Sequence, residues 1–354
     1  MEKPRLIYAE SNSYDPYFNL TFEKYLFDNI CENEVAFFLW QNEKTVVIGR
    51  NQNAYDECNI TALMQLGGKV ARRISGGGAV YHDLGNLNFT FISRGDVFNV
   101  SDQMDIIIKA LDQFGIPAEK SGRNDITVLG KKFSGSAFYR HQDRSCHHGT
   151  IMINVDTLIL DSVLNVSHEK LAANNVDSVR SRTVNLHDVS EDITVDSMKV
   201  ALVDSFLHHY NAENFDEKLQ IGGASVISGT GRTSWAAAGS MLTILKELSA
   251  NQHIYSSEEW IYGKKIQFTN EIKNRFDWGG ISICLDIKGG IITDAKVYSD
   301  SLLPDFISNF ENALIGKSYL YSDMFNAIED AAKEFGNEIT PYVNDIKELI
   351  MKSI

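Results

Sequence analysis

A glycine-rich loop preceded by two arginines is the first feature of the sequence with a chemical meaning. The loop reads RRISGGGAVYHD from Arg72 to Asp83. The consecutive Gly76, Gly77 and Gly78 leave backbone N–H groups uncovered and let a ligand approach the main chain closely. The arginines add charge and planar donors that suit a carboxylate or a phosphate. No GK[ST] follows, so the loop predicts an anion site unlike a Walker A loop. A glycine turn with solvated arginines is the structural alternative.

A second polar segment combines a carboxylate with a lysine. The motif GRND ends at Asp125, and GKKFSGSA follows closely. Asp125 opens a strand, and a carboxylate there can hold Mg²⁺ through one or two oxygens while phosphates complete the coordination. Lys132 alternates with Ser134 and Ser136, so we expect one polar strand face that carries the lysine. Such an ammonium can neutralise the charge that develops as a carboxylate attacks a phosphate. The alternative is a hairpin with its lysines in water.

Two further motifs are HHGT, which begins at His147, and SVRSRTVNL, at residues 178–186. Adjacent residues of a strand point to opposite faces, so at most one of His147 and His148 can serve a site. Their spacing does not suit a metal pair on a helix, and a hydrogen-bonded structural role is the alternative. The arginine-bearing segment can fold over a nucleotide or form a solvated connection.

These motifs depend on elements that the hydrophobic pattern predicts. Asp15 and Pro16 supply an N-cap and a proline at the first helical position, and apolar residues follow at helical spacing. Ser101 caps a second long helix, and residues 87–92 alternate as in a half-buried strand. The other predicted strands lie at residues 6–9, 35–40, 45–48, 69–73, 79–82, 125–129, 132–140 and 149–155. Mixed strands and helices with few regular βα repeats predict an α+β sheet domain.

A smaller unit is predicted at the C-terminal end. Residues 281–287 alternate, Lys288-Gly289-Gly290 turns, and residues 292–298 return as the second strand of a hairpin. Three helices follow. We therefore divide the 354-residue chain into a catalytic domain at 1–258 and an accessory domain at 259–354, with an unusual glycine-rich stretch at 219–250.

Composition limits the possible functions. The net charge of -14 argues against a nucleic-acid partner, which normally requires a basic surface. The longest strongly apolar run, residues 35–40, is too short for a membrane span. The N-terminus lacks an apolar signal core, and the four scattered cysteines form no CxxC pair. We expect a cytoplasmic protein without a disulfide framework or a structural zinc site.

Taken together, the motifs resemble those of the lipoate–protein ligase A family. The ordered set comprises RRISGGGAVYHD, GRND, GKKFSGSAFYR, HHGT and SVRSR, and Trp40 at the end of FFLW also matches. The segments RFDWGGISICLDIKGG and YSDSLLP are similar to the accessory domain of two-domain members. The resemblance covers nearly the whole chain. It implies a biotin/lipoate ligase-type mixed-sheet catalytic domain with a small C-terminal α/β accessory domain.

The resemblance also implies an activity. ATP, with Mg²⁺, would activate lipoate as lipoyl-AMP, and the lipoyl group would then pass to a specific lysine of an acceptor protein. The implied acceptors are apo lipoyl domains of 2-oxoacid dehydrogenase E2 subunits and the glycine cleavage H protein, in salvage of exogenous lipoate. No protein nucleophile is needed. An apolar slot suits the lipoyl tail, since each buried CH₂ contributes about 0.8 kcal/mol. We expect a monomer.

Site residues carry over from the family position by position. Lys132 would be the catalytic lysine, and Asp125 would hold Mg²⁺. The residues implied to bind lipoate are Trp40, Arg72, Ser75, Gly76, Gly77, Gly78 and Arg140. Those implied to bind ATP or the adenylate are Arg72, Gly77, Gly78, Ala79, Asn124, Asp125, Lys132, His148, Gly149, Thr150, Val179, Arg180 and Ser181.

Three other functions are compatible with parts of the sequence. An ATP-independent octanoyl or lipoyl transferase would use Cys146, beside HHGT, as its acyl carrier. Biotin ligation is disfavoured because the GRGR-type signature is missing and Asn124 follows Arg123. A non-catalytic lipoate or nucleotide binder would keep the pocket without turnover, and lipoate-dependent exchange of pyrophosphate into ATP would distinguish it from a ligase.

Overall fold

The computed structural model describes residues 3–122, 124–165, 182–221, 227–228, 241–264 and 266–354. The chain divides into two compact units. The first comprises Met1–Val47, Cys58–Ala71 and Val80–Ser257, and the second comprises Ile48–Glu57, Arg72–Ala79 and Glu258–Ile354. Two short segments of the predicted catalytic domain thus belong to the second unit. The division at residue 258 stays a prediction.

A mixed sheet forms the centre of the first unit. The strands up to residue 228 are β1 (Arg5–Ser11), β2 (Glu34–Trp40), β3 (Thr45–Ile48), β4 (Lys69–Arg72), β5 (Val80–His82), β6 (Asn86–Arg94), β7 (Ala118–Ser121), β8 (Asp125–Val128), β9 (Lys131–His141), β10 (Arg144–Met152), β11 (Glu217–Ile221) and β12 (Ile227–Ser228). Among the described residues, nine of them form one sheet in the order β12-β11-β1-β2-β6-β10-β9-β8-β7. Strand β1 is parallel to β2 and β11, whereas β2, β6, β10, β9, β8 and β7 pair antiparallel. A small sheet has the order β4-β3-β5. The mixed sheet agrees with the predicted α+β class.

Helices cover both faces of the large sheet. The helices up to residue 255 are α1 (Pro16–Asn29), α2 (Ala54–Glu57), α3 (Ile60–Gln65), α4 (Val100–Asp112), α5 (Thr157–Val163), α6 (Leu186–Val189), α7 (Val195–His209) and α8 (Met241–Tyr255). The predicted cap of α1 is confirmed, because the Asp15 side chain accepts a hydrogen bond from Tyr17 N at 3.3 Å. The predicted cap of α4 is wrong. Asn99 caps that helix, because its extended backbone directs its side-chain oxygen to Asp102 N at 3.2 Å.

The two sheet faces have different partners. Phe37 of β2 points to the face covered by α4 and α7, where its ring stacks on Phe206 at 4.9 Å between centroids. Its neighbour Phe38 points the other way and meets Phe22 of α1 edge-to-face at 5.1 Å. We call these the α4/α7 face and the α1 face. Because side chains alternate along a strand, consecutive residues of a regular strand point to opposite faces of the sheet.

The second unit contains its own antiparallel sheet and helices. Its elements after residue 257 are α9 (Glu258–Tyr262), β13 (Asn270–Phe276), β14 (Gly279–Lys288), β15 (Ile291–Ser299), α10 (Pro304–Leu314), α11 (Tyr321–Ala332) and α12 (Thr340–Ser353). The predicted hairpin and three following helices are confirmed. Phe306, Phe310 and Ile346 are fully buried in its core. Within the described part of the chain, no helix is long and apolar enough to cross a bilayer.

Candidate active site

Lys132 and Asp125 form an ion pair on the α1 face. Lys132 Nζ lies 2.6 Å from Asp125 Oδ1, and the two side chains are 25% and 29% exposed. Gly135 makes room for the ammonium, because a Cβ at that position would lie 2.6 Å from Lys132 Nζ. Asp125 and Gly135 are direct partners in the β8–β9 ladder. A cation and a carboxylate are therefore held together, partly open to solvent, near one end of the sheet.

A β-bulge puts the lysine on this face. The register shifts in β9, where Ile126 pairs with Ser134 but the next residue, Thr127, pairs with Lys132. Phe133 is therefore displaced into the core on the α4/α7 face, together with Ile126. The predicted polar face carrying Lys132, Ser134 and Ser136 is wrong, because the extra residue reverses the alternation between Lys132 and Ser134.

A buried hydrogen-bond network lies on the same α1 face. Glu23 Oε1 lies 2.8 Å from His148 Nδ1 and accepts a hydrogen bond from Thr90 Oγ1 at 2.7 Å. The Trp40 indole N–H donates to Thr90 Oγ1 at 3.0 Å. Two predicted site residues, Trp40 and His148, are thus oriented through Glu23, which is only 1% exposed. A buried carboxylate requires such partners.

Sequence reasoning missed Glu23. The only sequence signal for its burial is its position directly after Phe22, in a helix whose apolar positions are buried. A carboxylate at the flank of an apolar stripe is, however, ordinarily solvated. Only the packing of α1 on β10 shows that this one is enclosed.

His147 and Cys146 are also buried on β10. His147 points to the α4/α7 face, where its two ring nitrogens lie 2.9 Å from Gln103 Oε1 and Ser136 Oγ. Burial, with a smaller effect of nearby His148, lowers the pKa of His147 to about 3. Only His148 reaches the α1 face, as the alternation predicted. Cys146 shares that face but is 0% exposed, and burial raises the pKa of its thiol well above the usual value. A thiol in this state is a poor nucleophile, so the transferase alternative is not favoured.

Other predicted residues of the first unit occupy different positions. Arg140 lies on the α4/α7 face, where it donates to Ser145 Oγ at 3.2 Å and covers the Phe98 ring at 6.0 Å. This position separates it from Lys132. Asn124 donates from Nδ2 to Ser136 O at 2.7 Å, which fixes the turn that precedes Asp125.

Gly149 and Thr150 follow His148 along β10. Gly149 is tightly packed, since a Cβ there would lie 2.5 Å from the Phe89 ring and 2.6 Å from Gly135 O. Thr150 is the ladder partner of Gly135 and shares the α1 face with Lys132.

The predicted adenylate-binding residues Val179, Arg180 and Ser181 lie outside the described residues. The residues that follow them contact Lys132. Val184 N donates to Lys132 O at 3.0 Å, and Thr183 forms an isolated bridge with Lys132. Thr183 and Val184 therefore lie directly beside the lysine.

The triple-glycine loop belongs to the second unit, together with Ala79. Gly77 N donates to Ser301 O at 3.1 Å, and a Cβ on Gly76 would lie 1.9 Å from the same oxygen. A main-chain carbonyl of the protein, and not a ligand, makes the close approach to this glycine backbone, so the predicted role of the loop in ligand binding stays a prediction. Ser75 is fully buried and accepts a hydrogen bond from Arg73 Nε at 3.1 Å, and Arg73 also donates to Gly78 O at 2.7 Å.

Arg72 is bound by backbone carbonyls within the second unit. Its guanidinium donates to Gly49 O, Arg50 O, Gln52 O, Trp260 O and Ile261 O at distances from 2.5 to 3.1 Å. Burial lowers its pKa to about 10. Contact with lipoate or phosphate would require some of these bonds to break. Because the loop and Lys132 belong to different units, their predicted common site stays a prediction.

Comparison with known proteins identifies the class. Residues 15–207 match the model of the lipoyl protein ligase A/B catalytic domain, and residues 265–350 match that of the bacterial lipoate protein ligase C-terminus. A lipoate–protein ligase A from Bdellovibrio bacteriovorus is 36% identical over 97% of both chains. One from Blochmanniella floridana is 37% identical over 87% of this chain and 88% of the relative.

A solved structure agrees with this class. The structure of P. falciparum LipL1 in complex with lipoate is 29% identical and covers 99% of both chains, with a TM-score of 0.79. This protein belongs to the lipoate–protein ligase A family and is a ligase. The resemblance found in the motifs and the predicted fold class are thereby confirmed.

Proposed function

We propose that this ligase activates lipoate with ATP and transfers the lipoyl group to a lysine of an apo lipoyl domain. Family membership supports the reaction, and the observation that carries the assignment of residues is the Lys132–Asp125 pair on the α1 face. The α1 face also bears Trp40 and His148, which the family resemblance places at the substrate. A cation, aromatic surface and buried polar network thus share one side of the sheet.

Lys132 would act in the first half-reaction. The lipoate carboxylate attacks the α-phosphate of ATP, pyrophosphate leaves, and negative charge increases on the phosphoryl oxygens. An ammonium fixed by a carboxylate and by its own strand stabilises that charge without reorganisation. In the second half-reaction the acceptor amine attacks the mixed anhydride and AMP leaves, so no protein nucleophile is required.

Asp125 fits a magnesium site. Its carboxylate is partly exposed and offers the hard oxygen ligands that Mg²⁺ takes together with phosphate oxygens. Bound Mg²⁺ would supply charge neutralisation on the phosphates. Asp125 would then divide its charge between the cation and Lys132, and Asn124 would hold the turn that presents it.

Aromatic side chains on the α1 face suit the apolar lipoyl tail. The rings of Phe38 and Trp40 stack at 5.8 Å between centroids, and Phe22 packs on Phe38. The Trp40 N–H is already bonded to Thr90. The Trp40 ring is 3% exposed, so a hydrocarbon chain would reach its apolar faces only if neighbouring side chains moved.

Several further properties follow from the family resemblance and belong to this proposal. The acceptors would be E2 subunits of 2-oxoacid dehydrogenases and the glycine cleavage H protein, and the enzyme would act as a cytoplasmic monomer in lipoate salvage. The glycine loop, Arg72 and residues 179–181 would contribute to lipoate and adenylate binding. The catalytic and accessory domains would be divided near residue 258.

The deciding experiment combines the protein with lipoate, Mg²⁺ and a panel of apo acceptors, with and without ATP. Mass spectrometry of each acceptor should show one lipoyl addition that depends on ATP. Lipoate-dependent exchange of labelled pyrophosphate into ATP should occur without any acceptor. Two results would contradict the proposal. One is acyl addition without ATP from a lipoyl or octanoyl donor protein, and the other is pyrophosphate exchange that does not depend on lipoate.

A further inference from the structure

Three metal-binding side chains meet inside the first unit. Glu23 comes from α1, and Cys146 and His148 come from β10, where their separation by two residues directs both to the α1 face. One donor atom from each residue lies within 4.8 Å of the other two. The residues are 1%, 0% and 5% exposed. The sequence shows no zinc motif because the third ligand, Glu23, lies on a helix far along the chain from Cys146 and His148.

The donor set selects a class of metal. Zinc is bound in proteins by thiolate, imidazole and carboxylate groups, often by three of them with a fourth position open. Magnesium prefers oxygen ligands alone, so the set differs in kind from the site proposed at Asp125. We propose that Glu23, Cys146 and His148 form a binding site for a thiophilic divalent cation such as Zn²⁺.

Outer hydrogen bonds already orient the carboxylate. Thr90 Oγ1 donates to Glu23 Oε1 at 2.7 Å, and Trp40 Nε1 donates to Thr90 Oγ1 at 3.0 Å. Partners of this kind hold a ligand in its binding geometry. His148 has a side-chain exposure of only 7%, so entry of a cation requires movement of the surrounding side chains.

Binding has a defined chemical balance. Bonds form from the cation to Cys146 Sγ, to a ring nitrogen of His148 and to a carboxylate oxygen of Glu23. The thiol proton passes to water, and the coordinating ring nitrogen must carry no proton. The 2.8 Å hydrogen bond between Glu23 and His148 is replaced by their common bond to the metal.

Occupation of the site would inhibit ligation. This consequence rests on the proposed function, because Trp40 and His148 are there assigned to lipoate and adenylate. A cation that coordinates both His148 and Glu23 changes the orientation of both side chains. Inhibition by Zn²⁺ should be reversed by a chelator and should be absent from the Cys146→Ser variant.

Cobalt provides a direct probe of the site. The full chain is freed of metal with a chelator, dialysed and titrated with Co²⁺ while near-ultraviolet absorption is recorded. We expect a thiolate-to-cobalt charge-transfer band that saturates at one equivalent and is bleached by Zn²⁺. The band should be absent in Cys146→Ser. It should persist in Cys58→Ser, the matched control, because Cys58 is also a buried thiol of the first unit but lies outside the cluster.

Two further variants test the geometry. Glu23→Gln should weaken Co²⁺ binding by removing a charged ligand, and Thr90→Val should weaken it about 10- to 100-fold by removing the outer hydrogen bond. Circular dichroism and thermal unfolding in chelator establish that each variant is folded. A wild-type protein without the band, a band that survives Cys146→Ser, or equal loss in Cys58→Ser overturns the site. The absorption measurement does not require catalytic turnover. A failure of the metal site can therefore be distinguished from a failure of the proposed ligase function.

Discussion

The Lys132 ammonium lies 2.6 Å from Asp125 Oδ1, on a sheet face that Gly135 leaves open. Both side chains are more than a fifth exposed, so the pair contributes only about 0–1 kcal/mol to stability. The pair matters for the position in which it holds the two side chains and not for stability. The pair holds a positive charge beside a carboxylate at the end of a strand, and the bulge at Phe133 fixes the face on which that charge is presented.

Replacing Lys132 tests its role in adenylation. Lys132→Met keeps the aliphatic stem and removes the charge, so we expect lipoate-dependent pyrophosphate exchange to fall about 10²- to 10³-fold, as for loss of one transition-state donor. The matched control is Lys131→Met at the exposed neighbouring position, which should stay within about twofold of wild type if the effect is local. Equal losses in the two variants would show that general charge, and not the position of Lys132, matters.

Substitutions at two glycines should separate an effect on activity from an effect on stability. Gly135→Ala places a Cβ 2.6 Å from the flexible end of Lys132, so the lysine moves and exchange activity drops about tenfold with little change in Tm. Gly149→Ala meets the Phe89 ring at 2.5 Å and a main-chain oxygen at 2.6 Å, neither of which yields easily. We expect that variant to lose about 1–3 kcal/mol of unfolding free energy. Thermal unfolding beside an exchange assay separates the two effects, and a normal activity in Gly135→Ala would contradict the first.

Cys146 should not react with alkylating agents in the folded enzyme. Because burial raises the pKa of its thiol and the side chain is inaccessible, iodoacetamide should label Cys146 only after unfolding. Partly exposed Cys31 provides the internal reference for labelling of the native protein. Cys146→Ser should retain ATP-dependent lipoyl transfer in metal-free buffer. Peptide mass mapping and the acceptor assay check both statements, and complete loss of transfer would restore the acyl-enzyme hypothesis.

His147 should make the fold sensitive to acid. Burial lowers its pKa from 6.5 to about 3 in the folded state, so between these values the unfolded chain binds the proton and the folded chain does not. The stabilisation is present above pH 6.5 and is lost as the pH falls towards 3, at roughly 1.4 kcal/mol per pH unit. Urea unfolding between pH 7 and 4 measures this slope, and His147→Gln should make it shallower. Parallel slopes in the two proteins would exclude the residue as the cause.

The sequence determined the family, the class of fold and many of the elements. Short motifs such as RRISGGGAVYHD and HHGT carry their chemistry in consecutive residues, so they can be identified without coordinates. The α1 cap at Asp15 and the hairpin that turns at Gly289 and Gly290 are likewise local. Their hydrogen bonds and backbone angles depend on neighbours in the chain, which is why residue patterns predicted them.

Tertiary structure decided the positions of the side chains. The bulge that turns Lys132 away from Ser134 arises where two strands pair, and no alternation within one strand contains that information. Glu23 became part of a buried network only because α1 packs on β10. Arg72, which the sequence presents as a free anion ligand, is held by backbone carbonyls from chain segments near residues 50 and 260. Contacts between distant segments depend on packing of the whole unit, and that packing is absent from any single stretch of sequence.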